Sequence, residues 1–168
     1  GDDQRPVENV SWEDAIVFCN TLSRLLGLTP VYQGTDNNAT MDESANGFRL
    51  PFEAEWEWAA RGGQNFTYAG SDNLDEVGWY NENSGGTTHP VGQKQANGYG
   101  LFDMSGNVYE WTNDDYDNPG EYRPGAGQRV FRGGSWNNNA VNCHVALRGR
   151  GTPGDRINSL GLRLSRSL

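Results

Sequence analysis

Residues 97 to 111 read NGYGLFDMSGNVYEW, a run rich in glycine and asparagine that leads directly into a short apolar piece. Glycine and asparagine are typical of turns, and the piece from Val108 to Thr112 is predicted to be a strand. The whole chain after Gly62 has this character, with short apolar pieces between long polar loops. The other predicted strands are Val91 and its neighbours, Arg129 to Arg132, Cys143 to Arg148, and Gly161 to Leu164.

Two helices are predicted ahead of this region. Ser11 and Asp14 have the spacing of a capping box, and the helix that follows, of about fifteen residues, ends at Gly27. The second helix, Phe52 to Arg61, begins after Pro51. Two helices followed by short strands predict an α+β fold with an antiparallel sheet, in one domain. The side chains expected to face the core are Ala15, Phe18, Cys19, Leu22, Leu25 and Leu26 of the first helix, and Trp56, Ala59 and Ala60 of the second.

The composition of the 168 residues excludes several classes of protein. Only 35% are hydrophobic, yet six Trp, seven Tyr and six Phe indicate a globular domain instead of a disordered chain. No apolar run approaches the roughly 18 residues that a membrane span needs. Cys19 and Cys143 lack the spacing of a metal site, which leaves one disulfide or, as we favour, two unpaired thiols.

Charge is divided unevenly along the chain. Residues 1 to 121 carry 21 acidic and five basic side chains, whereas residues 122 to 168 carry eight arginines and one acid. The acidic body disfavours a nucleic-acid partner. The basic tail either binds nucleic acid or pairs with carboxylates of the body, and we predict the second. The tail arginines that alternate with small or apolar residues, as paired strand residues do, are Arg132, Arg148, Arg163 and Arg166.

Five motifs, in order, resemble the formylglycine-generating (sulfatase-modifying) family: PVENVSW, FRLPFEAEWEWAARG, NGYGLFDMSGNVYEW, RGGSW and GLRL. The resemblance spans nearly the whole chain and implies an elaborated C-type lectin fold. The family usually has Thr in place of Phe52, so the second helix loses a side-chain cap. The family domain usually begins with a strand-rich section before Pro6. Residues 1–168, which we interpret as a single domain, are therefore either a fragment without this section or a protein that builds its core by another route, and we favour the fragment.

The family's enzymes use two cysteines shortly after the RGGSW motif to bind copper and activate oxygen. Soft thiolates suit Cu(I), but Asn138 stands where the first cysteine belongs, and Cys143 occupies the second place alone. A related iron-dependent branch needs a histidine cluster, and this chain has only His89 and His144. We therefore expect no enzymatic activity, no catalytic residue and no required cofactor.

The family can also carry structural calcium. Asn107, Glu110, Asn113 and Asp114 offer hard oxygen ligands of the type that calcium prefers. The sequence shows no complete cage, and the alternative is that these side chains satisfy turns and arginines. We predict no metal site.

The segment after Trp136 has an unusual composition. Residues 137 to 160 contain no Lys, Glu, Gln, Met or Trp, although these types make up 25 of the 168 residues and about three or four should fall there. Residues 130–168 resemble the variable region of proteins diversified by retroelements. That resemblance implies mutation of adenines in asparagine codons, which yields residues such as Ser, Thr, Ile, Asp, Gly and Leu but none of the five absent types.

The resemblance further implies a non-catalytic protein that binds a protein or surface ligand through replaceable side chains. Arg148, Arg150 and Arg156, with Pro153, are expected to form a fixed framework bonded to body carboxylates. The alternatives are an undiversified binding or scaffold module and, less favoured, a formylglycine-generating oxidase. The resemblance also implies display on a bacterial cell surface through a lipid anchor absent from this chain. The predicted variable positions are Val141, His144, Leu147, Gly149, Gly151, Thr152, Gly154, Asp155, Ile157, Asn158 and Ser159.

Overall fold

A computed structural model describes residues 2 to 167, so residues 1 and 168, the ends of the predicted domain, lie outside the described part. The α+β class is confirmed, since three α-helices accompany eight short strands. In chain order the elements are α1 (Trp12–Leu25), β1 (Tyr32–Gln33), β2 (Thr40–Met41), β3 (Phe48–Arg49), α2 (Glu53–Arg61), α3 (Leu74–Val77), β4 (Tyr109–Asp115), β5 (Arg129–Arg132), a 3-10 helix (Ala140–Cys143), β6 (Arg148–Gly151), β7 (Leu160–Leu162) and β8 (Ser165–Arg166).

A four-stranded sheet in the order β6-β5-β4-β7 forms the centre of the fold. β5 pairs antiparallel with both β4 and β6, whereas β7 pairs parallel with β4. The sheet is therefore mixed instead of wholly antiparallel, because the chain returns to β4 only after passing through β5 and β6. β6 and β7 lie at opposite edges of this sheet. Two smaller antiparallel sheets, β1-β2 and β3-β8, complete the architecture.

The capping box at the start of α1 is confirmed. The hydroxyl of Ser11 accepts the backbone N–H of Asp14 at 3.0 Å, and the Asp14 carboxylate accepts the N–H of Ser11 at 2.9 Å. The predicted buried stripe is wrong in part, because Phe18, Leu25 and Leu26 are exposed. The buried face of α1 is the one that carries Trp12, because the indole N–H of Trp12 donates to the Thr112 carbonyl at 3.0 Å. The buried side chains of α1 are Trp12, Ala15, Ile16, Cys19, Asn20 and Ser23.

α2 begins at Glu53, one residue later than predicted, and ends at Gly62 in the left-handed conformation, with φ of 57°. Phe52 caps nothing with its side chain, as the sequence predicts. The Asp114 carboxylate of β4 accepts the Glu53 N–H instead, so the helix start is capped from across the fold. Trp56 and Ala60 are buried as expected, and Ala59 is half-buried.

Several predicted strands differ in the structure. Val91 lies in a loop, and most of the segment from Cys143 to Arg148 is not strand, because β6 begins only at Arg148. β7 starts one residue before Gly161 and ends at Leu162. α3 was not predicted, since its four residues are too few to show a helical period. No helix between residues 2 and 167 is long and apolar enough to cross a membrane.

The main core lies between α1 and the central sheet, around Trp12, Ile16, Leu50, Trp111 and Leu160. A second cluster surrounds Trp56 and Met104 beneath α2. Cys19 and Cys143 are both buried and unpaired, which resolves the two alternatives in favour of free thiols.

Candidate ligand-binding surface

The predicted variable positions differ in exposure. Val141 and Ile157 are 55% and 44% exposed. Thr152, Gly154 and Asn158 are also exposed, whereas Gly151 and Ser159 are buried. Gly151 lies against the Trp111 ring, and the Ser159 carbonyl accepts the N–H of Tyr109 at 2.8 Å. The remaining positions, which are half-buried, are His144, Leu147, Gly149 and Asp155.

These positions form two groups joined by β6. In the first group, His144 packs edge-on against Tyr68, with ring centroids 5.1 Å apart, and its carbonyl accepts the N–H of Leu147. In the second group, the Asp155 carboxylate accepts the N–H and hydroxyl of Thr152 at 2.8 and 2.6 Å. This second group lies beside the start of α1, because the Pro153 carbonyl accepts the N–H of Trp12 at 3.0 Å.

Two of the three predicted framework arginines are bonded to body carboxylates. Arg148 donates from Nε to both oxygens of Glu53 at 2.7 and 2.9 Å. Arg156 donates to both oxygens of Asp14 at 2.7 and 2.8 Å. The prediction is wrong for Arg150, which has no carboxylate partner among residues 2–167 and lies over the Tyr116 ring at 4.8 Å. Arg148 lies 4.7 Å from the same ring, so Tyr116 contacts both arginines.

The remaining tail arginines attach the sheet to the acidic body. Arg132 is buried and donates to Glu53 and Glu57 of α2. Arg163 donates to both oxygens of Glu110 at 2.8 to 3.1 Å. Ion pairing is therefore confirmed for both of these arginines, whereas Arg166 donates to the backbone carbonyl of Asn46 instead of a carboxylate.

Three fixed aromatic side chains lie along β4 and β5 next to β6. Phe131 contacts Tyr109 and Trp111, with ring centroids 4.6 and 5.6 Å apart. Phe131 is the cross-strand partner of both Trp111 and Gly149. The sequence predicts β4 and β5 but not their pairing, so it does not indicate that an aromatic ring lies next to Gly149.

The place of the family's copper site does not provide two thiolates. Burial raises the pKa of Cys143 to about 12, so its thiol stays protonated at neutral pH. Asn138 lies in a turn, where its side-chain oxygen accepts the hydroxyl of Ser135. The two histidines lie apart, since His89 stacks on Trp79 at 3.8 Å while His144 packs on Tyr68. Within residues 2–167, no three His, Cys, Asp or Glu side chains are grouped as metal ligands.

The four oxygen donors considered for calcium do not converge. Asn107 bonds both backbone groups of His89, and Glu110 is held by Arg163 and by the Trp56 indole at 2.6 Å. The side-chain oxygens of the other two residues, Asn113 and Asp114, accept hydrogen bonds from different parts of the fold. The Asn113 oxygen accepts the Tyr32 hydroxyl at 2.6 Å, and Asp114 accepts backbone N–H groups of Glu53 and Gly120.

A pocket of about 400 Å³ is lined by residues other than the predicted variable positions. Asp103, which the sequence analysis did not single out, lines it together with Glu110 and Arg163. Burial raises the pKa of Asp103, and its Oδ1 has no hydrogen-bond partner in the described part of the chain. None of the predicted variable positions lines this pocket, although Leu162 and Arg163 of residues 130–168 do.

Comparisons with known proteins agree with the motifs. The model of the sulfatase-modifying factor enzyme 1-like domain matches residues 1–168. The chaperone protein LppX of Paenibacillus barcinonensis is 38% identical over 200 residues, covering 98% of this chain and 71% of that protein. The formylglycine-generating enzyme of Streptomyces coelicolor is 36% identical over 162 residues, covering 80% of this chain and 51% of the enzyme.

Among solved structures, Treponema denticola variable protein 1 superposes with a TM-score of 0.90 at 39% identity, covering 98% of this chain and 72% of that protein. This variable protein and the relatives that resemble formylglycine-generating enzyme have C-type lectin-like folds, which confirms the predicted architecture. The chain spans about half the length of the formylglycine-generating enzyme that it matches.

Proposed function

Because this chain belongs to the sulfatase-modifying factor enzyme 1-like domain family, we propose that it uses the family scaffold to bind ligands instead of to catalyse a reaction. Residues 130–168 would supply the binding surface, with diversified side chains at its exposed positions. The similarity to a treponemal variable protein supports this proposal.

One observation carries it: in the C-terminal segment, some side chains are bonded to carboxylates of the body, whereas others are exposed and form no such bond. Arg148 and Arg156 are bonded to Glu53 and Asp14, while Val141 and Ile157 are about half exposed and have no comparable attachment. Substitutions at exposed positions usually change stability by no more than about 0.5 kcal/mol. Such a surface can therefore accept many side chains on one rigid scaffold, as antibody loops do.

The burial pattern narrows the set that can touch a ligand. Gly151 and Ser159 expose little surface, so they contribute to packing more than to recognition. The proposed contact residues are Val141, His144, Leu147, Gly149, Thr152, Gly154, Asp155, Ile157 and Asn158.

Diversification is tested in the gene's surroundings. We expect a second copy of the DNA that encodes residues 130–168, differing from it at adenines, next to a reverse transcriptase gene. A gene without such a copy would leave an undiversified binding or scaffold module as the better description.

Binding is tested with two displayed libraries of equal size. One randomises the exposed positions Val141, Thr152, Ile157 and Asn158, and the other randomises the buried positions Cys143, Val145, Gly151 and Ser159. We expect the exposed library to remain folded and to yield binders to several unrelated proteins, and the buried library to lose folded members. Equal loss of folded members from both libraries would contradict the proposal.

Asn138 and the protonated, buried Cys143 argue against the enzymatic alternative. Incubation with copper and a cysteine-containing sulfatase peptide should give no aldehyde on the peptide. Appearance of aldehyde would reverse this part of the proposal.

The proposal includes display on a bacterial surface, since a variable binder has to meet external ligands. In intact cells, the complete protein should be cleaved by added protease. Protection from protease until the cells are lysed would contradict display.

A further inference from the structure

The ring of Phe131 occupies the space that a side chain at position 149 would need. A Cβ atom added to Gly149 would overlap Cε2 and Cδ2 of Phe131 and would lie 3.0 Å from Cζ. Carbon atoms in favourable contact are about 3.5 to 4.0 Å apart. Every residue larger than glycine at position 149 therefore requires a movement of either the ring or β6.

The backbone at position 149 is not the obstacle. Gly149 lies within strand β6 and does not have a positive φ. Residues other than glycine can therefore adopt its backbone conformation. Gly154 makes a useful comparison, because its backbone is equally ordinary and a Cβ there would meet no atom within 4 Å. Gly149 lies in a strand and Gly154 in an exposed turn, but only Gly149 has an aromatic ring in the place of its Cβ.

The ring moves more readily than the strand. β6 is paired with β5 at all four of its residues, and Arg148 at its start is bonded to Glu53. Phe131 is half-buried, and its neighbour Tyr109 is half-buried as well. Rotation of the Phe131 side chain toward solvent breaks no hydrogen bond, whereas displacement of β6 breaks a ladder and an ion pair.

We propose that Phe131 is a specificity-determining residue of the binding surface, and that residue 149 sets the conformation of its ring. With glycine at 149 the ring lies over β6, and with any larger residue it turns away and presents a different apolar surface. The part that Phe131 plays in recognition rests on the proposed function, but its coupling to residue 149 does not. One substitution thus changes two side chains of the surface.

Fluorine NMR of protein labelled with fluorophenylalanine tests the movement, since the chain has only six Phe residues. Phe131→Leu identifies the Phe131 resonance by its loss. We expect Gly149→Ala to shift that resonance and Gly154→Ala to leave it unchanged. An unshifted Phe131 resonance in folded Gly149→Ala protein would overturn the proposal.

A double-mutant cycle tests the coupling. Gly149→Ala should raise the unfolding equilibrium constant about tenfold when Phe131 is present, within the range for residues in contact. In a Phe131→Ala background the same change should have almost no effect. If Gly149→Ala alone does not fold, Phe131→Ala should restore folding. Equal penalties in both backgrounds, or no rescue, would overturn the coupling even if the libraries yield binders.

Discussion

Asp14 connects two segments that are distant in the sequence. Its carboxylate accepts the N–H of Ser11 at the start of α1 and the guanidinium of Arg156 in the variable segment. The hydrogen bond from Arg156 is the largest cause that lowers the pKa of Asp14 to about 2, with Ser11 contributing as well. A single side chain therefore both caps a helix and attaches Arg156 of the C-terminal segment to α1.

We predict that Asp14→Asn lowers the free energy of unfolding by about 1 kcal/mol at neutral pH. The expected loss is small because Asp14 and Arg156 are substantially exposed, and solvent weakens their ion pair. The folded pKa of about 2 lies below the unfolded value of 3.8, so this stabilisation is present above the unfolded value. It is lost as the pH falls through the folded pKa. Urea unfolding across this pH range measures the effect.

The control for Asp14 is Asp3→Asn, at an exposed position whose side chain forms no hydrogen bond or ion pair among residues 2–167. It should leave the unfolding free energy unchanged at every pH. A stability difference for Asp14→Asn that stays constant from neutral pH to about pH 2 would contradict the role given to the charge.

At the scale of elements, α2 shows how a missing local signal is replaced by a distant one. The side chain of Phe52, at the cap position, offers no hydrogen-bond acceptor. The N–H of Glu53 donates to the carboxylate of Asp114 in β4 instead. The second Asp114 oxygen accepts the N–H of Gly120 at 3.0 Å. The start of α2 and the turn after β4 therefore depend on one carboxylate.

Asp114→Ala should lower the free energy of unfolding by about 1 to 3 kcal/mol, since it leaves two backbone N–H groups without a partner. Asp114→Asn keeps one acceptor oxygen and should lose less. Urea unfolding and hydrogen exchange of the α2 amides measure the change. Asp117→Ala, two residues beyond β4 and exposed, is the matched control and should fall within about 0.5 kcal/mol of wild type. An unchanged exchange rate at Glu53 would contradict the capping role.

Elements with local signals were predictable from the sequence. The capping box, Pro51 and Gly62 fixed both long helices to within about a residue, because caps depend on near neighbours. The bounds of β6 could not be predicted from the sequence. Its residues, Arg-Gly-Arg-Gly, show no alternation of apolar and polar side chains, and they form a strand only because β5 pairs with them. The rotation of α1 depends likewise on the distant Thr112 carbonyl.

The same division applies to the candidate surface. Composition suggested a polar, replaceable segment, and Val141, Thr152 and Ile157 are exposed as that requires. The burial of Gly151 and Ser159 depends on Trp111 and on the pairing of β7 with β4. Neither contact can be predicted from the sequence around Gly151 or Ser159, because the contacting residues are distant in the sequence. The same holds for the contact between Phe131 and Gly149.

At the scale of the whole molecule, the acidic body and the basic tail meet at Glu53. Its carboxylate accepts Arg132 of β5 and Arg148 of β6, so one helix residue is bonded to two strands. Arg132 is buried, with only 1% of its side chain exposed. The uneven charge along the chain is therefore accompanied by ion pairs between the acidic body and the basic tail.

Glu53→Ala should lower the free energy of unfolding by about 1 to 3 kcal/mol, because the buried Arg132 loses one hydrogen-bond partner but keeps its ion pair with Glu57. Glu121→Ala is the matched control, because Glu121 forms an exposed ion pair with Arg123, and it should cost at most about 1 kcal/mol. Urea unfolding of both variants makes the comparison. Similar losses for the two would contradict the weight given to Glu53.

The placement of β6 and β7 at opposite edges of one sheet limits how the segment between them can evolve. A deletion from 152 to 159 that moved β7 by one residue against β4 would turn the fully buried Leu160 to the other face. It would also bring a residue with a side chain to the position of Gly161, where a Cβ overlaps the Val7 carbonyl oxygen. Insertions face the same constraint in reverse. One-for-one replacements within residues 152 to 159 therefore keep the register of β7, whereas a change of length that shifts the strand does not.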